Sequence, residues 1–258
     1  MKKIIIQGIN YDEKSSFHKG AALAPPIIIE TLHSDALNRF AENGVPIDNP
    51  AIEDRGDFEI SDYFEIETIT RKHLEGGCRI LTLGGDHSIT FPILKAYHEK
   101  YPKLDILHID AHADLYHEYQ NDPYSHASPF ARIMENGLAA RLVQVGIRTL
   151  NTHQAEQAKR FNVEIHHMKD LDLKRIARFE NPLYISLDMD GFDPAFAPGV
   201  SHQEPGGLSS REVIDLIQRI DADVVGADIV EYNPRLDLQH MTAYLAVKMV
   251  KEILVKMM

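Results

Sequence analysis

The chain reads as an α/β protein with three layers, α/β/α, around a mostly parallel sheet of roughly eight strands. Three observations predict this. Short runs rich in Ile, Val and Leu alternate with longer amphipathic stretches along the 258 residues. Several of the short runs are apolar almost throughout, as strands are when helices cover both faces. Polar motifs recur where those runs end, which is where ligands gather in open parallel sheets.

In order, strand 3–9 leads to helix 25–42 and strand 51–56. Helix 61–76 precedes strand 79–84, and helix 89–100 precedes strand 104–110. Helix 125–136 stops at Asn136-Gly137, a helix-ending pair, and strand 142–147 follows. Helix 152–161 leads into strands 163–167 and 183–188. Helix 209–220 opens on Ser209-Ser210-Arg211-Glu212, a capping box, before strand 224–230 and the last helix, 239–257. The irregular segment 191–208, with Pro194, Pro198 and Pro205, reads as an active-site loop rather than a linker. No repeat or domain boundary interrupts the pattern, so residues 1–258 are expected to form one domain.

Hydrophobic residues make up 44% of the chain, enough for a sizeable core. The formal net charge of −12 argues against a nucleic-acid partner and is compatible with a cationic substrate. The one cysteine, Cys78, excludes an intrachain disulfide and reads as a small core residue. The apolar run at Ile4-Ile5-Ile6 is too short for a signal peptide and no segment matches a membrane span, so a cytosolic location is expected.

Three motifs carry the chemistry: Gly84-Gly85-Asp86-His87, Asp110-Ala111-His112-Ala113-Asp114 and Ser186-Leu187-Asp188-Met189-Asp190. On a strand, residues two apart share a side. That rule puts Asp110, His112 and Asp114 together, and Asp188 with Asp190, while the residues between them face the core. A lone Asp-x-Asp at a strand end is commonly a cap or turn, and a lone histidine commonly belongs to the core. Here His87, Asp110, His112, Asp114, Asp188 and Asp190 come without a lysine or arginine in any motif. So many acids in one crevice repel unless cations sit between them. Four carboxylates and two imidazoles suit a pair of divalent ions, Mn²⁺ foremost, with Fe²⁺, Co²⁺ and Ni²⁺ as alternatives. The lack of thiolates argues against structural zinc. His108 shares the ligand side but lies deeper and reads as core. His98, His117, His153, His166, His167 and His202 sit in no comparable motif.

These motifs, with Ser88, Asp193-Pro194 and a fourth block Asp228-Ile229-Val230-Glu231, resemble the arginase/agmatinase (ureohydrolase) family from about residue 80 onward. The resemblance implies hydrolysis of a guanidinium group to urea and an amine with two Mn²⁺ ions. It implies that His87, Asp110, Asp114 and Asp188 hold one metal and that Asp110, His112, Asp188 and Asp190 hold the other, Asp110 and Asp188 bridging. Asp114 would orient the attacking water and pass its proton to the leaving amine, and Glu231 would hold the guanidinium. Tyr124-Ser125-His126-Ala127-Ser128-Pro129-Phe130 resembles the family's active-site histidine block, although Ala127 replaces its usual glycine. His126 would then shuttle protons or touch substrate.

The resemblance also bears on the substrate. Animal-type arginases read the amino-acid head group with an Asn after the Asp-Ala-His-x-Asp motif and an Asp after a Gly-Leu-Arg strand end. Here Leu115-Tyr116-His117 lacks that Asn, and Asn151, after Gly146-Ile147-Arg148, replaces that Asp. These departures favour agmatine, with Asn151 as a substrate contact. Ala197-Pro198-Gly199-Val200-Ser201-His202-Gln203-Glu204-Pro205-Gly206-Gly207-Leu208 instead resembles plant arginases and keeps arginine as the alternative, with a shorter guanidino acid or guanidine itself third. A single-zinc deacetylase of related fold would need fewer ligands, and a regulatory homologue would have lost one. By resemblance the protein is expected to be a trimer or hexamer.

Overall fold

The computed structural model of the protein describes residues 2–176 and 178–258. Among these residues eight strands build one sheet: β1 (Ile4–Asn10), β2 (Ile52–Glu59), β3 (Arg79–Leu83), β4 (Asp105–Ile109), β5 (Arg141–Ile147), β6 (Glu164–His167), β7 (Leu183–Asp188) and β8 (Val224–Val230). Their order is β2-β1-β3-β8-β7-β4-β5-β6. Every pairing is parallel, so the expected architecture holds in its stricter form.

Among the described residues seven α-helices cover it: α1 (Ala24–Leu32), α2 (Glu65–Glu75), α3 (Thr90–Lys100), α4 (Pro129–Glu135), α5 (Thr152–Arg160), α6 (Ser210–Arg219) and α7 (Met241–Met257). Helices α1, α6 and α7 pack on one face, against Leu81, Leu107, Ile185 and Ile229. Helices α2 to α5 pack on the other, against Ile80, Ile106, Tyr184 and Val225. Every residue of β3, β4, β7 and β8 is buried, which explains their continuous apolar sequences. Edge strand β2 instead exposes Asp54, Arg55 and Asp57, charges that discourage edge-to-edge pairing.

Several boundaries differ from the sequence reading: the helix expected over 61–76 spans Glu65–Glu75 and the strand expected over 51–56 spans Ile52–Glu59. The helix expected over 25–42 ends at Leu32, where Ser34 Oγ donates to Thr31 O and turns the chain away. The helix expected from 125 begins at Pro129, because proline favours the first helical position and restricts the residue before it. Helix α7 begins at Met241, after Gln239 and His240 adopt left-handed backbone at φ 51° and 60°. The Ser209–Glu212 capping box forms as expected.

One row of the buried sheet is polar. On the face toward α2 to α5, register sets Gln7 beside Thr82, Thr82 beside Asp228 and Asp228 beside Ser186. Ser186 lies beside His108, and His108 beside Gln144. All six are essentially inaccessible, so each must find hydrogen-bond partners inside the protein. This row runs under the carboxyl ends of the central strands.

Candidate metal centre

The four adjacent strands β3, β8, β7 and β4 each deliver side chains at their carboxyl ends. His87 opens a single 3-10 turn whose cap is Asp86, the Asp86 side chain accepting from Ser88 N–H. Asp110 follows β4 and Asp188 ends β7, while Asp190 lies in the 3-10 turn Met189–Gly191. Glu231 follows β8. Asp114 and Glu231 hold left-handed backbone at φ 49° and 63°, a strained state for non-glycine residues that clusters at functional sites.

The spacing rule drawn from strand geometry needs correction. Strand β4 ends at Ile109, so residues 110–114 are a loop and not an extended strand. Asp110 Oδ1 accepts from His112 N–H at 2.6 Å, and Asp188 Oδ1 accepts from Asp190 N–H at 2.7 Å. These local bonds, together with the left-handed Asp114, turn alternate side chains inward. Ala111, Ala113 and Met189 are still fully buried behind them.

The six acids and imidazoles converge. His87 Nδ1 lies 3.0 Å from Asp188 Oδ2, 3.2 Å from Asp110 Oδ2 and 3.3 Å from Asp114 Oδ2. His112 Nδ1 lies 3.0 Å from Asp190 Oδ2 and 3.5 Å from Asp110 Oδ1. Asp110 belongs to both groups. Burial and the charges of Asp190 and Asp110 hold the Asp188 carboxyl well above the ordinary range. Burial pushes Asp190 up to about 6, against the pull of His112. Burial alone would lower the His87 imidazole, but hydrogen bonds to Asp110, Asp114 and Asp188 raise it. Such a cluster is relieved by protons or by positive charge among the carboxylates.

The polar row decides which nitrogen of His87 faces that cluster. Its Nε2 is 2.9 Å from Ser186 Oγ, which donates to Asp228 Oδ1 at 2.7 Å. The one hydroxyl proton of Ser186 is thereby used, so Ser186 accepts from His87 Nε2–H. With Nε2–H given to Ser186, Nδ1 is the nitrogen turned to the three carboxylate oxygens: it shares a proton with them when the ring is charged, and it would offer them and a divalent ion its lone pair when the ring is neutral. The donor set and this orientation fit divalent metal.

His126 sits in the turn before α4. Its Nδ1 is 3.2 Å from Glu231 Oε1 and its Nε2 is 2.8 Å from Ser16 Oγ. Burial opposes charging of His126, but the bond to Glu231 and its charge prevail and bring the imidazole up to about 9. Glu231 Oε1 also accepts from His87 N–H at 2.9 Å. Its Oε2 is buried and has no partner among the described residues, a costly state for a carboxylate oxygen unless a ligand donates to it.

Of the site residues read from the sequence, eight meet here: His87, Asp110, His112, Asp114, His126, Asp188, Asp190 and Glu231. Asn151 stands apart. Its Oδ1 caps α5 by accepting from Gln154 N–H at 2.9 Å, and its Nδ2 donates to Tyr116 OH at 2.5 Å. Tyr116, not Asn151, lines the cavity over the centre, which has a volume of about 210 Å³. Ser16, Tyr119, Gln154 and His202 also line it and were not singled out from sequence. The His202 ring stacks 5.0 Å from that of His126, and lies inside the Ala197–Leu208 block that carried the family resemblance. Ser16 arrives on the loop after β1. Gly85 admits that loop, since a Cβ there would fall 1.7 Å from Tyr11 O.

A wholly parallel α/β sheet with a buried acid–imidazole centre at its carboxyl end defines a metallohydrolase class. The chain matches the model of the arginase family over residues 2–256 and belongs to that family. It is 43% identical over 272 residues to a mitochondrial arginase of Medicago truncatula, covering 97% of this chain and 80% of that protein. It is 38% identical over 248 residues to an N(1)-aminopropylagmatine ureohydrolase of Thermus thermophilus, covering 90% of this chain and 83% of that one. The solved arginase from Medicago truncatula superposes with a TM-score of 0.93 at 41% identity, over 99% of this chain and 87% of that one. The mitochondrial setting of such a relative overturns the expectation of a cytosolic location. Among the described residues no helix is long and apolar enough to cross a membrane.

Proposed function

We propose that the protein is an arginase, hydrolysing arginine to ornithine and urea. The observation that carries guanidinium cleavage is Glu231 Oε2, buried, unpaired and beside the acid–imidazole cluster. Arginine is preferred over other guanidines because likeness to a plant arginase extends over nearly the whole chain. Two divalent ions, Mn²⁺ in this reading, would be held by His87, Asp110, Asp114 and Asp188 and by Asp110, His112, Asp188 and Asp190. Bound there, they supply a water acidic enough to serve as nucleophile at neutral pH.

The protein's own groups do the rest. Glu231 accepts guanidinium N–H at Oε2 and fixes the reacting carbon near the nucleophile. Asp114 orients the attacking water through its carboxylate and takes its proton. Water adds to the guanidinium carbon, the bond to the side-chain nitrogen breaks, and that nitrogen leaves as an amine carrying the transferred proton. His126, charged at neutral pH, is placed to donate a proton to it or to hold the substrate.

Agmatine is the second reading. No lysine or arginine lines the cavity among the described residues, so it offers no fixed cation to an α-carboxylate. Asn151, in place of a carboxylate, is turned toward Tyr116. Urea release by the Mn²⁺-loaded protein, with arginine and agmatine side by side, decides between them. Higher kcat/KM on arginine supports the first reading, and higher kcat/KM on agmatine replaces it. We also propose a homo-oligomer, trimer or hexamer, to be checked by analytical ultracentrifugation.

A further inference from the structure

We propose that His108 and Gln144 are a positioning pair: a neutral imidazole of fixed tautomer that donates to Asp110 and so orients this carboxylate between two metal ions. The inference rests on the binuclear reading above. The sequence marks neither residue as chemical, and both are wholly buried.

The proton positions follow from the contacts. Gln144 Nε2 lies 2.6 Å from Ala113 O and 2.9 Å from His108 Nδ1. A carbonyl oxygen only accepts, so the side-chain atom facing Ala113 must be the amide nitrogen. Swapping the amide would put two oxygens against each other. The same nitrogen only donates, so His108 Nδ1 carries a lone pair. The ring proton therefore sits on Nε2, which is 2.7 Å from Asp110 Oδ2. Phe130 stacks on the imidazole at 3.8 Å and 24°, closing off ring rotation.

This bond places Asp110. Its Oδ1 is fixed by His112 N–H and its Oδ2 by His108 Nε2–H, so neither oxygen is free to swing. The two donors thereby hold Oδ2 on the His87 side, 3.2 Å from its Nδ1, and Oδ1 on the His112 side, 3.5 Å from its Nδ1, so the carboxylate already faces both halves of the cluster. Gln144 accomplishes this at a cost, since its Oε1 is buried without a partner among the described residues. Across the sheet, Ser186 and Asp228 hold His87 Nε2 as a donor from the same row, so the polar layer presets the orientation of both an imidazole and a carboxylate of the centre.

The test has two parts. Nitrogen-15 NMR of the metal-free protein should show His108 neutral, with the proton on Nε2. In the Gln144→Glu variant, whose carboxylate can only accept, the proton should move to Nδ1 or the ring should become charged. Calorimetric Mn²⁺ titration should then show His108→Phe weakened by roughly 10–100-fold, Gln144→Leu weakened less, and His108→Gln, which retains a donor, partly restored. Metal-free melting temperatures report whether each variant folds, and the NMR reading on the unmutated protein stands if one does not. A proton on Nδ1 in that protein, or a folded His108→Phe that binds Mn²⁺ as tightly, overturns the proposal. Failure of the binuclear reading looks different: the unmutated protein would bind fewer than two ions per chain.

Discussion

The two halves of the metal centre are built differently. The His87 side chain is fully inaccessible, and Ser186 and Asp228 brace its far nitrogen. The His112 side chain is 28% exposed and lines the cavity. Among the described residues no hydrogen bond reaches its Nε2. The deep half is therefore ordered by the protein itself, through the polar row beneath it. The shallow half has no such brace behind its imidazole, which is held only from the carboxylate side, by Asp190 and Asp110. Preorganised ligands bind with less entropy to lose, so the deep half should hold its metal more tightly and exchange it more slowly.

The most disruptive change removes what the halves share. Asp110→Asn or Asp188→Asn should leave a folded protein that has lost at least one ion and on the order of 10³-fold in kcat, because metal-assisted attack supplies several kcal/mol. Near-normal urea release by either variant would end the two-metal account. Glu231→Gln should keep both ions and reduce kcat/KM by roughly 10²-fold, the scale of one charge-assisted partner lost from a buried site. Loss of metal in that variant would show that Glu231 belongs to the centre and not to the substrate. A smaller effect separates the halves. His112→Asn should retain one tightly bound ion per chain, and His87→Asn should retain none at comparable affinity, a difference of roughly 10-fold. Equal affinities in the two variants, by calorimetry, would remove the contrast.

The same contrast marks what the sequence could disclose. The strands and the candidate ligands were legible because chemistry and burial are compressed there into short motifs: strands of five to seven residues that end at or just before Asp110, Asp188 and Glu231. Ser16 was not legible, because 110 residues separate it from His126 and only the loop passing over Gly85 joins them. Gln144 looked like one polar position in an apolar strand. Its meaning comes from register with His108, which sequence spacing does not contain. Asn151 carried the position that the family resemblance marks, but its side chain caps α5 and donates to Tyr116, and it is Tyr116 that lines the cavity. Helix 25–42 was overextended because the apolar pattern continues past the turn at Ser34 that ends it.

The smallest predicted effect concerns the cavity mouth, where His126, Glu231 and Ser16 meet. His126 is raised from 6.5 to about 9, burial opposing and the Glu231 bond and charge prevailing. Its contribution to stability is thus fully present below pH 6.5 and is lost as pH rises through about 9. Glu231 is lowered from 4.5 by His126 against burial, so its contribution is present above pH 4.5 and fades as pH falls further. The charged pair is therefore at full strength between about pH 5 and 6.5 and weakens on the alkaline side. Metal-free protein should lose a few degrees of melting temperature between pH 7 and 10 beyond what His126→Gln loses. If the two curves run parallel, the charge of His126 does not hold the mouth. Ser16 and the main-chain bond from His126 N–H to Lys14 O would then do so, and the mouth would resemble the deep half rather than the shallow one.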